Sequence, residues 1–315
     1  MSHHPDSRTR TQKEGLVAEG YVEAARITRA RAKSFAFASV ALEPGTRRAA
    51  YAVYAFCRRC DDAVDSAPPG EAPARLAAVR DEVASVYAGD DRGDAILAAF
   101  GDTVRARGVP RRAVDALVRG MEQDLTVTRY ATWDALLEYC ELAAGTVGCM
   151  MAAILGTRDA AALVEAAALG RAMQLTNVLR DVREDLVEHG RIYLPGEALA
   201  ARGLSADSIA AWTEARRLDG GRDAEAFRDL MREAASRALA LYAEADRGIP
   251  KITSAPGRAC VRLMRATYAE ILAVLEARRW DVFEGRASTT TDTKLRVGAR
   301  ALLGRDARWA GAGAA

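Results

Sequence analysis

The stretch YAVYAFCRRCDDAVD, residues 51–65, and its counterpart QLTNVLRDVRED, residues 174–185, decide the fold of this chain. The first holds Asp61, Asp62 and Asp65. The second holds Asn177, Asp181 and Asp185. Each contains D-x-x-x-D, and on an α-helix residues four apart share a face, separated by roughly 6 Å of rise. Like charges so placed repel one another, and both clusters lie in apolar runs where an unpaired charge is expensive. A solvated acidic face is the bland reading, supported by helix ion pairs available from Arg58 to Asp62 and from Arg180 to Glu184. Two matched clusters favour the alternative, in which two helices face each other and cage a divalent cation with a diphosphate.

The helical context extends outward in both directions. Apolar residues recur at helical spacing almost throughout, and β-branched alternation is scarce. Pro44 opens a helix over 44–66, and Pro68, Pro69 and Gly70 end it. Further helices are predicted at 73–88, 92–106, 110–128, 132–155, 158–188, 205–217, 222–246, 256–280 and 290–303. Gly190 marks a stop, with Leu194-Pro195 in a loop. The pattern predicts one all-α domain over 16–305, its helices surrounding a central cavity, with loose ends at 1–15 and 306–315.

Composition narrows the function. The chain has 315 residues, 50% hydrophobic and 28% charged, with a net charge of +2. That is ordinary globular material with no basic block, and it gives no reason to expect nucleic acid as a partner. Three histidines, His3, His4 and His189, argue against a multi-histidine metal site and a Ser-His-Asp triad. The five cysteines are scattered, and Cys57-x-x-Cys60 lies mid-helix without a second pair, so free thiols in a reducing cytoplasm are expected. Residues 1–15 lack the apolar core of a signal peptide. No run approaches the ~18 apolar residues of a membrane span, although a greasy substrate leaves peripheral membrane contact open.

Six ordered motifs resemble the phytoene and squalene synthase family of head-to-head prenyl synthases. They are RAKSF at 31–35, YAFCRRCDDAVD at 54–65, YCELAAGTVG at 139–148, QLTNVLRDVREDLVEHGRIYLP at 174–195, YAEIL at 268–272 and WDVFEGRAS at 280–288. The resemblance runs from about residue 24 to 300 and implies the all-α isoprenoid synthase fold. It also implies Mg2+, or Mn2+ in its place, held by Asp61 and Asp65 on one wall and by Asn177, Asp181 and Asp185 on the other. Hard, oxygen-seeking magnesium suits carboxylates and phosphate oxygens. Diphosphate contacts are implied for Arg31, Lys33 and Ser34, for Arg58 and Arg180 as guanidinium clamps, and for Arg286, with Asp62 and Gln174 beside them. Tyr54, Tyr139 and Tyr268 match positions that steady a carbocation or a phosphate, and Tyr193 also matches. Ala144, Gly145 and Gly148 allow either close helix packing or room for a prenyl tail.

The implied reaction joins two geranylgeranyl diphosphates through a cyclopropylcarbinyl diphosphate to phytoene. The alternative uses two farnesyl diphosphates to make squalene, presqualene diphosphate or dehydrosqualene, with NADPH needed only for squalene. A non-catalytic assembly factor on the same fold would be expected to have lost the carboxylates. Two departures bear on tail length: Arg279-Trp280 stands where many relatives carry Gly-Tyr, and Glu141-Leu142 where an aromatic is common. Oligomeric state is not legible.

Overall fold

The computed structural model describes residues 7–157 and 159–303, and among them there are helices and turns but no β-strand. In chain order the helices are α1 (Ser7–Arg31), α2 (Lys33–Ser39), α3 (Pro44–Asp65), α4 (Ala72–Ala88), α5 (Ala95–Arg107), α6 (Arg111–Gln123), α7 (Trp133–Cys140), α8 (Thr146–Leu155), α9 (Ala162–Arg180), α10 (Val182–His189), α11 (Gly196–Ala200), α12 (Ala206–Ala215), α13 (Arg222–Asp246), α14 (Ala255–Ala277) and α15 (Thr291–Leu302). A π-helical turn, Glu141–Gly145, joins α7 to α8, and a 3-10 turn, Ile249–Lys251, precedes α14.

Local chemistry fixes many of the ends. Pro44 occupies the first turn of α3. The carboxylate of Asp94 accepts from the backbone N–H of Leu97 at 2.9 Å and caps α5, and Thr132 caps α7 through Ala135. Gly190 ends α10 at φ 66°, a left-handed conformation that suits glycine.

Three expectations are corrected. Residues 7–15 are helical, as the first turns of a long α1, whereas residues 1–6 and the tail at 306–315 lie outside the described residues. The 132–155 helix carries the π-helical turn at its middle. The 158–188 helix breaks at Asp181, where φ is −105° and ψ is 15°. The break keeps the one-turn spacing, because the Asp181 N–H donates to the Asn177 carbonyl and the Asp185 N–H to the Asp181 carbonyl, both at 2.8 Å.

Two large cores form. One gathers buried residues of α7, α9, α13 and α14 with the 192–204 segment; the other gathers those of α3 to α6, α8 and α14. Met173 and Tyr268 pack against both, and both line the cavity that opens where the cores meet. The stretch Trp133–Leu155 is long and apolar enough to cross a membrane, but it packs along α9 and α6 as an interior helix. Cys57, Cys60 and Cys140 are buried free thiols, and burial pushes all three thiols up.

Small residues let the central helices touch. A Cβ on Gly148 would fall 2.1 Å from the carbonyl oxygen of Ala166, and one on Gly170 would fall 2.0 Å from that of Ala144. Gly148 and Gly170 thus serve close packing of α8 and its π-helical turn on α9. Ala144 and Gly148 also line the cavity, so the two readings of this small-residue patch hold together.

Candidate active site

The cavity has a volume of about 330 Å³ and apolar walls. Tyr54, Gln174, Asn177 and Tyr268 gather at one end, and Arg31 also lines the cavity. Helical spacing then carries both walls past that end: Tyr54, Arg58, Asp61 and Asp65 follow one face of α3, while Gln174, Asn177, Asp181 and Asp185 follow α9 into α10. The two acidic clusters approach each other beyond Tyr54 and Asn177, where Arg191 lies 3.4 Å from Asp65 and also bears on Asp185. Among the described residues, no three carboxylate, histidine or cysteine groups stand close enough together to hold a metal ion.

The first wall is under-neutralised. Burial pushes the Asp61 carboxyl up to about 7; Arg58 opposes the rise, while Asp65, Asp124 and Asp62 add to it. Arg58 is committed to Asp62, with Nε 2.9 Å from Oδ1, as its i,i+4 spacing predicts. Asp65 faces Arg191, whose Nη1 lies 3.4 Å from its Oδ1, and His189, whose Nδ1 lies 3.9 Å from the same atom.

The second wall is unevenly neutralised. Burial raises Asp181, but the guanidinium groups of Arg180 and Arg286 outweigh it and hold the carboxyl below its usual range. Arg180 Nε lies 2.6 Å from Asp181 Oδ1, and Arg286 binds the same carboxylate through two hydrogen bonds of 2.8 and 2.9 Å. The expected Arg180–Glu184 pair is therefore replaced by Arg180–Asp181, because the chain bends between them. Asp185, without such a clamp, is pushed up to about 8 by burial and by Asp181. Asn177 donates to Gln174 Oε1 at 3.3 Å, while its own Oδ1 is buried without a partner. That orphaned oxygen and the crowded carboxylates are what a hard cation would satisfy.

Other predicted residues fall into distinct places. Arg31 ends α1 and Ala32 breaks the chain before α2; both line the cavity. Lys33 and Ser34 begin α2 and do not line it. Tyr54 packs 5.8 Å from Phe35, and burial pushes its hydroxyl up to about 12. Tyr139 stacks on Tyr193 at 5.2 Å, their hydroxyls 3.2 Å apart.

Asp124 and Arg191 were not foreseen. Asp124 follows α6 and accepts from the Tyr139 and Tyr193 hydroxyls, each at 3.3 Å, while Arg191 donates to its backbone carbonyl at 2.8 Å. Burial pushes Asp124 up to about 6; Arg191 opposes the rise and Asp65 adds to it. A parallel bridge between Arg129 and Ile192 brings the two loops together. The available signal in sequence was another carboxylate beside an apolar run.

The departures also have places. Arg279 and Trp280 adopt φ of 53° and 60°, left-handed values that explain why glycine suits position 279. Glu141 begins the π-helical turn and lies 3.4 Å from Arg171.

Comparison with known proteins agrees with this geometry. The family model described as squalene/phytoene synthase matches residues 28–293. Phytoene synthase 1, chloroplastic, of Solanum lycopersicum is 35% identical over 288 residues, covering 89% of this chain and 67% of the relative. The 15-cis-phytoene synthase of Synechocystis sp. is 35% identical over 292 residues, covering 89% and 83%. A dehydrosqualene synthase crystal structure superposes with a TM-score of 0.83 at 26% identity, covering 92% of this chain and 98% of that one. A squalene synthase from Alicyclobacillus acidocaldarius gives 0.74 at 26% identity, covering 84% and 95%. The fold is the all-α isoprenoid synthase fold, and the chain belongs to the squalene/phytoene synthase family.

Proposed function

We propose that this chain is a prenyltransferase of the phytoene synthase type, joining two geranylgeranyl diphosphates head to head through a cyclopropylcarbinyl diphosphate to give phytoene and diphosphate. The observation that supports this reading is the apolar cavity lined through Tyr54 and Asn177 by α3 and α9, the two helices that lead into the acidic clusters. The chain's similarity to proteins named phytoene synthase over 89% of its length supports the choice of substrate.

The residues have consistent roles. Bound by Asp61, Asp65, Asn177, Asp181 and Asp185, Mg2+, or Mn2+ in its place, would neutralise diphosphate and make it a leaving group. Arg31, Arg58, Arg180 and Arg286 supply guanidinium groups to phosphate oxygens. Tyr54 and Tyr268 line a cavity in which an allylic cation would be shielded from water and could be steadied by an aromatic ring. The Tyr139–Tyr193–Asp124 cluster places polar hydrogens beside the first wall.

A second reading, condensation of two farnesyl diphosphates, is favoured by the structural likeness to dehydrosqualene and squalene synthases. A product assay with purified protein and magnesium separates the two. Geranylgeranyl and farnesyl diphosphates are supplied separately, each with and without NADPH. A forty-carbon hydrocarbon formed without reductant is expected. Thirty-carbon products from farnesyl diphosphate alone would establish the second reading, and no product from folded protein would favour a non-catalytic role.

A further inference from the structure

The end of the cavity remote from the aspartates is not simply greasy. Cavity-lining residues follow α9 from Asn177 through Met173, Leu169 and Ala166 to Glu165. Twelve residues separate Asn177 from Glu165, about 18 Å along the helix at 1.5 Å per residue. There Glu165 meets the 3-10 turn that closes the floor. Its Oε1 takes the Lys251 ammonium, while its Oε2 is buried with no partner. The Glu165 side chain is only 12% exposed and that of Lys251 28%, so the carboxylate is buried at the floor while its partner reaches toward the surface.

The floor is built to keep that pair in place. A Cβ on Gly248 would lie 2.5 Å from the Glu165 Cβ, so glycine allows the turn to rest directly on α9. Thr157 and Ile252 form an antiparallel bridge, and the Thr253 N–H donates to the Gly156 carbonyl at 3.1 Å.

We propose that the Glu165–Lys251 pair is the end stop that sets prenyl-tail length, accepting four isoprene units and rejecting a fifth. The assignment rests on the prenyl diphosphate reading above. An extended chain advances about 1.2 Å per bond, hence roughly 5 Å per four-bond isoprene repeat. Four units, roughly 20 Å, therefore match or slightly exceed the ~18 Å from Asn177 to Glu165, and a fifth would drive methyl groups onto the pair. An apolar floor would reward such contact or be pushed aside. A buried carboxylate with a free oxygen resists it, because parting it from Lys251 leaves a buried charge unsatisfied.

The test measures binding of four-unit and five-unit prenyl thiolodiphosphates with magnesium, which requires no turnover, alongside kcat/KM for the corresponding diphosphates. Wild type is expected to prefer the four-unit ligand by at least tenfold. The double variant Glu165→Ala/Lys251→Met should lose that preference at least tenfold in both readouts, with the four-unit affinity changed less than threefold. Glu165→Gln, which keeps a polar group at the floor, should retain it. A folded double variant with unchanged preference, even one with a lowered Tm, would overturn the proposal and leave the pair as a structural tie between the turn and α9. Wild type without any length preference would overturn it as well. Length-selective binding without phytoene formation would count against the activity assigned above while leaving the end stop supported.

Discussion

The two acidic walls have matching spacing, but the leading aspartate of each, Asp61 and Asp181, is shifted in opposite directions. On α3, Asp61 is buried with its neighbouring guanidinium already committed to Asp62, and its carboxyl rises to about 7. On the other wall, Asp181 is gripped by Arg180 and Arg286 and held below its usual range. The difference lies in where the chain bends. Asp61 sits inside an unbroken helix, whereas Asp181 sits at the joint of α9 and α10, where the segment after α14 brings Arg286 onto it. Under the proposed function, Asp61 would meet a cation without giving up an arginine hydrogen bond, whereas Asp181 would exchange its arginine contacts for cation and phosphate. Arg180 and Arg286 thereby stand next to the phosphate oxygens they would clamp.

The largest expected effect comes from breaking either wall. Asp61→Ala and Asp181→Ala should each lower kcat by at least ~10²–10³-fold, the scale for losing one group that stabilises developing charge, with circular dichroism unchanged. Wild-type turnover in either variant would remove that wall from the site.

A smaller effect, in stability, sharpens the contrast within the second wall. Burial and the Asp181 charge push the Asp185 carboxyl up to about 8, against about 3.9 in an unfolded chain. Between those values the folded state binds more protons, so metal-free stability falls as pH rises from about 4 to about 8. Asp185→Asn removes that penalty. Without metal it should melt a few degrees above wild type at pH 7.5 and level with it at pH 4, while losing turnover. A lower Tm for the variant at pH 7.5 would show that Asp185 is compensated by a contact it makes as a charge.

Sequence reveals these features unequally. Helical spacing and the prolines around α3 suffice for the fold class, and the i,i+4 pattern suffices for both walls. Helix α1 escapes because it packs through small residues rather than an apolar stripe. Gly20 approaches Ala95 so closely that a Cβ would fall 1.8 Å from its carbonyl oxygen, and Ala24 and Thr28 are fully buried. The bend at Asp181 has neither proline nor glycine to announce it. Asp124 and Arg191 come from loops 67 residues apart and meet only through tertiary structure. The choice of Asp181 over Glu184 as partner of Arg180 follows from the same bend. The Glu165–Lys251 pair, 86 residues apart, likewise has no spacing that a linear reading could detect.

The most direct test of the two-wall account is the melting temperature of wild type, Asp61→Ala and Asp181→Ala with magnesium and a non-hydrolysable prenyl diphosphate analogue. A ligand at about 100 times its Kd stabilises the folded state by ~2.7 kcal/mol, a shift of several degrees. The account predicts that shift in wild type only when both ligands are present, and its loss in each variant. A full shift in either variant, or an equal shift from the analogue without magnesium, would contradict it.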